Sequence, residues 1–72
     1  MHSIEFTARS RPTSCDSCNL PTQAGISYIE RGSIVMFDCL SCAVQMVGKP
    51  LVESAVEAHR DRAFRQMEAL AG

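Results

Sequence analysis

The four cysteines of this chain fall into two matched pairs, Cys15-Asp16-Ser17-Cys18 and Cys39-Leu40-Ser41-Cys42, with twenty residues, Asn19 to Asp38, between them. Two residues between ligands let one loop present two sulfurs to the same ion. Tetrahedral zinc needs two such loops to bind four sulfurs at about 2.3 Å. The spacing predicts one structural zinc on Cys15, Cys18, Cys39 and Cys42. A staple of this kind is expected at 72 residues, because a hydrophobic core that small supplies only roughly 3 to 5 kcal/mol.

Other uses of four thiols fit less well. Two disulfides need an oxidising compartment, and the N-terminal segment lacks the continuous apolar run of a secretory signal. The chain therefore reads as cytoplasmic and mature as written, and no apolar run reaches the eighteen residues of a spanning helix. A redox-active pair belongs near a βαβ pattern, which is missing here, and iron–sulfur clusters use other spacings. Catalytic zinc keeps a position open for water, whereas four thiolates close the shell, so no enzyme activity is expected at this metal.

Charge argues against a phosphate binder. Seven Lys and Arg are spread among eight Asp and Glu, for a formal net charge of −1. Counting four thiolates and a divalent cation lowers this to about −3.

Along the chain, Ser3 to Thr7 alternates with period two, the pattern of a short strand or extended arm within residues 1–14. Pro12 and small polar residues interrupt it before the first cysteine pair. Asn19 follows Cys18 and supplies the left-handed residue that a tight chelating loop requires. Ile26–Glu30 and Ile34–Asp38, rich in β-branched and aromatic residues, flank Arg31-Gly32-Ser33 and predict a β-hairpin with a three-residue, bulged turn. Cys39 and Cys42 open a short helix with Asp38 as N-cap, ended by Gly48, where the helix dipole favours thiolate. From Pro50 to Leu70 no further Gly or Pro occurs. Val52, Ala55, Val56, His59, Ala63, Met67 and Leu70 fall in one sector of a helical wheel, defining an amphipathic C-terminal helix over 50–70. His59 reads as a packed or interfacial histidine, since four sulfurs already saturate zinc.

The order of knuckle Cys15–Cys18, hairpin and helix opening at Cys39–Cys42 resembles the treble-clef zinc finger. Within that group it is similar to the zinc-binding N-terminal module of ClpX-type unfoldases. The resemblance covers residues 15–48 and implies that the four cysteines are metal ligands; self-association and adaptor binding, known for that module, are what it implies for function. This chain departs from the pattern in its longer spacer and in lacking an attached ATPase domain.

The expectation is thus a small α+β zinc-stabilised domain that works by binding. It is read as an adaptor or inhibitor of a larger protein machine, of a size common among regulators encoded by phages and mobile elements. Tyr28, Arg31 and Phe37 on the hairpin and Arg60, Phe64 and Met67 on the C-terminal helix are the candidate partner-binding residues, with a homodimer through that helix as one arrangement. The alternative is a nucleic-acid-binding zinc-finger regulator using a basic patch of Arg9, Arg11 and Arg31.

Overall fold

In a computed structural model, which describes residues 2–71 and the side chains of residues 3–68, alternating and β-branched segments form three strands. These are β1 (His2–Ser14), β2 (Pro21–Glu30) and β3 (Ser33–Cys39), joined as an antiparallel meander in the order β1-β2-β3. Two helices follow, α1 (Leu40–Val47) and α2 (Lys49–Ala71). The α+β class expected from the sequence is the one that forms. The N-terminal segment is more than a short arm, because β1 pairs with β2 from His2↔Glu30 to Ser14↔Pro21. Its continuity is hidden in the sequence by Arg9–Pro12, which loop out between the pairs Ala8↔Ala24 and Thr13↔Thr22. Pro12 has no N–H to offer a ladder, so a bulge is where it can sit.

The hairpin turn differs from expectation. Glu30 pairs with Ser33, leaving a two-residue loop in which Arg31 and Gly32 have φ of 53° and 82°. Positive φ at both positions is the type I′ pattern, whose twist matches that of the strands and displaces the three-residue alternative. The bulge lies further along, where Val35 is left between the pairs Ile29↔Ile34 and Tyr28↔Met36.

Register decides which residues meet the helices. Phe6, Ile26 and Asp38 form one row across the sheet, and Ile4, Tyr28 and Met36 the next. Ile26, wholly buried, packs with Ala43 of α1 and with Val52 and Ala55 of α2, flanked by Ile4, Phe6 and Tyr28. That is a thin core with one large residue at its centre. On the opposite face, Phe37 lies over Gly25, where an added Cβ would fall 2.9 Å from the ring and would collide with the Asp38 carbonyl. The Arg9 guanidinium lies over the ring, 4.8 Å from its centroid. Phe37 is therefore buried rather than offered to a partner.

Gly48, at φ 96°, ends α1 by donating its N–H to the Val44 carbonyl at 2.9 Å. Its own carbonyl accepts from Val52 N–H at 3.3 Å, so the same residue starts α2. The first half of α2 packs on β1 and α1: Val52 and Ala55 are buried, and His59 sets its ring against Phe6, centroids 4.8 Å apart. From Arg60 to Glu68 every residue is exposed, including Ala63 and Met67 of the expected stripe, while the Leu70 side chain lies outside the described residues. The helix has 23 residues and is about 34 Å long, and past His59 it meets β1 only loosely, through the Arg62–Glu5 ion pair at 4.0 Å among the described contacts. The radius of gyration, 13.0 Å, accordingly exceeds the roughly 11 Å of a compact domain this size.

Candidate metal centre

The knuckle between β1 and β2 is a loop closed by its own backbone. Asn19 N–H donates to the Cys15 carbonyl at 2.8 Å and Cys15 N–H to the Leu20 carbonyl at 3.0 Å. Asn19 takes φ 64°, the left-handed conformation its sequence position predicts. Asp16 fastens this loop to the outer edge of β3. Its N–H donates to the Phe37 carbonyl at 2.9 Å, and its Oδ2 accepts the Phe37 N–H at 2.8 Å. This clamp sets the first thiol pair beside Cys39, at the end of β3, and Cys42, in the first turn of α1.

All four sulfurs lie within 4.8 Å of one another, and Cys18 Sγ and Cys39 Sγ are 3.9 Å apart. A tetrahedron with metal–sulfur bonds of about 2.3 Å has edges of about 3.8 Å, so the cluster needs only a slight contraction around an ion. The cysteines are free thiols, positioned to bind a metal ion, and a set of four sulfurs suits zinc. Cys15 is fully buried and Cys18 exposed, so the centre has one shielded and one solvent-facing side.

Electrostatics in the cluster favour a cation. Burial opposes ionisation of Cys15, but the backbone N–H groups of Cys39, Cys18 and Ser17 outweigh it and hold this thiol down at about 7. Cys18 moves the other way: the Leu20 backbone favours its thiolate, yet the Cys15 sulfur and burial push it up. Cys42 is driven well above the ordinary thiol range, chiefly by the sulfurs of Cys39 and Cys15. The helix N-terminus was expected to favour thiolate at this pair; crowding by neighbouring sulfurs overrides it at Cys42. One thiolate forms readily and its neighbours resist, which is the conflict a divalent ion resolves.

Asp38 is not the N-cap of α1. Cys39 occupies that position, with φ −64° and ψ 162° and no side-chain capping bond. Asp38 is wholly buried, pointing into the centre from the helix-facing side of the sheet. Its Oδ1 accepts from Ser17 Oγ at 2.9 Å and from Cys15 Sγ at 3.6 Å, tying the knuckle to β3 a second time. Its Oδ2 and the Tyr28 hydroxyl are both buried without a hydrogen-bond partner. Burial first, and the nearby Asp38 charge second, push the Tyr28 phenol up to about 12. Asp16, Ser17 and Asp38 are the residues that spacing alone misses. The one available signal is a carboxylate at the end of the apolar run Ile34–Phe37.

The other candidates are dispersed. Tyr28 is half-buried under the helices, Arg31 is exposed at the hairpin tip, and Arg60, Phe64 and Met67 are exposed on α2. Arg9 and Arg11 lie in the β1 bulge, beside Ala24 in register, while Arg31 follows Glu30. Some seven residues of strand, roughly 23 Å, separate them, so no three-arginine patch forms. No helix among the described residues is long and apolar enough to cross a membrane.

Fold and site together define a small α+β domain with a four-cysteine metal centre, of the kind a zinc-binding module requires. Comparison with protein-family models, curated proteins and solved structures found no match.

Proposed function

We propose that this chain is a zinc-stapled protein-binding module of treble-clef type, acting in the cytoplasm as an adaptor or inhibitor on a larger protein assembly. The zinc serves as staple: four thiolates leave it no open position for water, which argues against catalysis there. One observation carries the binding role. A groove of about 600 Å³ runs between the helix-facing side of the sheet and the α1–α2 junction, lined by Ile4, Tyr28, Met36 and Val47 among others. Val35, Met46 and Leu51 stand at its rim with 60%, 54% and 55% of their surface exposed. Exposed apolar surface grouped around a groove is what a protein contact uses, whereas nucleic-acid binding rests on clustered cations. The separation of Arg31 from Arg9 and Arg11 therefore favours the protein reading.

The test is capture by the zinc-loaded chain from lysate treated with nuclease and washed at high salt, with Leu51→Glu and Met46→Glu as controls. A protein retained through the wash and lost with either variant is the expected result. Retention of nuclease-sensitive material that high salt removes would overturn the reading in favour of a nucleic-acid regulator.

A further inference from the structure

We propose that two copies of this chain associate through an antiparallel crossing of the exposed half of α2, centred on Phe64. Phe64 and Met67 share one side of this helix and are 61% and 68% exposed. Arg60 lies four residues before Phe64 and Glu68 four residues after it, so all three occupy the same side. A two-fold axis through Phe64 brings each residue opposite the one equally distant on the other side. Arg60 then meets Glu68 of the second copy, and Glu68 meets its Arg60, giving two equivalent ion pairs around a Phe64–Phe64 contact. Among the described residues, the ion pairs within the chain are Lys49–Glu53 and Arg62–Glu5, so neither Arg60 nor Glu68 is engaged at home.

The rest of the segment agrees with this register. Asp61 falls opposite Met67, Arg62 opposite Gln66 and Arg65 opposite Ala63, so no like charges face each other. A parallel crossing would set Arg60 against Arg60 and Glu68 against Glu68, which repel. The pattern of cation, aromatic and anion at four-residue steps is complementary to its own reversed copy, and this selects a second copy of the chain as occupant. A shallow groove between α1 and α2, lined by Leu40, Val44, Val56 and Arg60 among others, continues the same face toward the helix N-terminus. The C-terminal end of the second helix runs over it. Overlap of about fifteen residues, some 22 Å of helix, makes a small interface, and a weak, reversible dimer is expected.

The experiment is sedimentation equilibrium of the zinc-loaded full chain from about 5 to 500 µM at low salt, with metal content measured on the same samples. Arg60→Glu or Glu68→Arg alone turns two attractions into repulsions and should weaken association about tenfold. The double variant R60E/E68R restores both pairs and should return to the original affinity. Phe64→Ala should be monomeric, with circular dichroism checking that its helix is retained. A monomer mass over the whole range, or a double variant no tighter than the singles, overturns the proposal. Either result leaves the zinc staple standing if the metal content is one per chain, so the two readings fail separately.

Discussion

Removing the metal should unfold the domain, and the size of the effect follows from how little else is buried. Ile26, Val52 and Phe37 are the larger apolar side chains below one-tenth exposure in the strands and helices, joined by Ala43 and Ala55. At about 1.5 to 3 kcal/mol for each large side chain and about 0.8 for each methyl, these groups contribute about 6 to 11 kcal/mol. A four-thiolate zinc site contributes about 10 to 16 kcal/mol of folding free energy, as much as the whole buried apolar set. Net stabilities of small domains are about 5 to 15 kcal/mol, so loss of the ion exceeds any margin the core leaves. Stripping zinc with a strong chelator, or replacing Cys39 by Ser, should abolish the cooperative thermal transition seen by circular dichroism. Restoring zinc should recover it in the wild type and not in C39S. A metal-free protein with an unchanged melting curve would refute the reasoning and place the stability in the sheet and helices alone.

The remaining predictions concern individual groups. Gly25→Ala sets a Cβ against the Asp38 carbonyl and the Phe37 ring, so it should lower stability by about 1 to 3 kcal/mol in urea melts of the zinc-loaded protein. Zinc loading displaces thiol protons. In the metal-free, unfolded chain the four thiols have the ordinary value of about 8.5, so affinity falls as pH falls, and at pH 7.5 about three to four protons should be released per ion, measurable with a pH indicator. Release of fewer than two would contradict binding by all four sulfurs. Phe64→Ala removes a ring with 61% of its surface exposed and, at a dilution where wild type and variant are both monomeric, should change stability by no more than about 0.5 kcal/mol; a large drop in melting temperature under those conditions would place that ring in the core.

What the sequence announces and what it conceals have different physical origins. The convergence of the four cysteines and the left-handed Asn19 are legible because ligand spacing and backbone sterics act over a few residues. The amphipathic stripe of α2 is legible too, but a stripe says only which side is apolar. How far it is covered depends on how closely the helix lies on the sheet, and burial ends at His59. Phe37 illustrates the same gap: alternation puts it opposite the helices, and its burial comes from Arg9, which reaches it across the glycine at position 25. Asp38 precedes a helix and so resembles a cap, yet its pairing with Ile26 turns it toward the thiols. The bulge at Arg9–Pro12 disguised β1, since four unpaired residues read locally as the end of a strand.

The clamp formed by Asp16 also shields the assembly from itself. β3 is an edge strand, and Ile34 to Phe37 is an uncharged, apolar stretch of the type that recruits further strands when its backbone is free. Asp16 occupies both the donor and the acceptor of Phe37, and it lies in the loop that carries Cys15 and Cys18. Loss of an ion held by that loop would free this border, and the metal-free chain should then be prone to edge-to-edge aggregation.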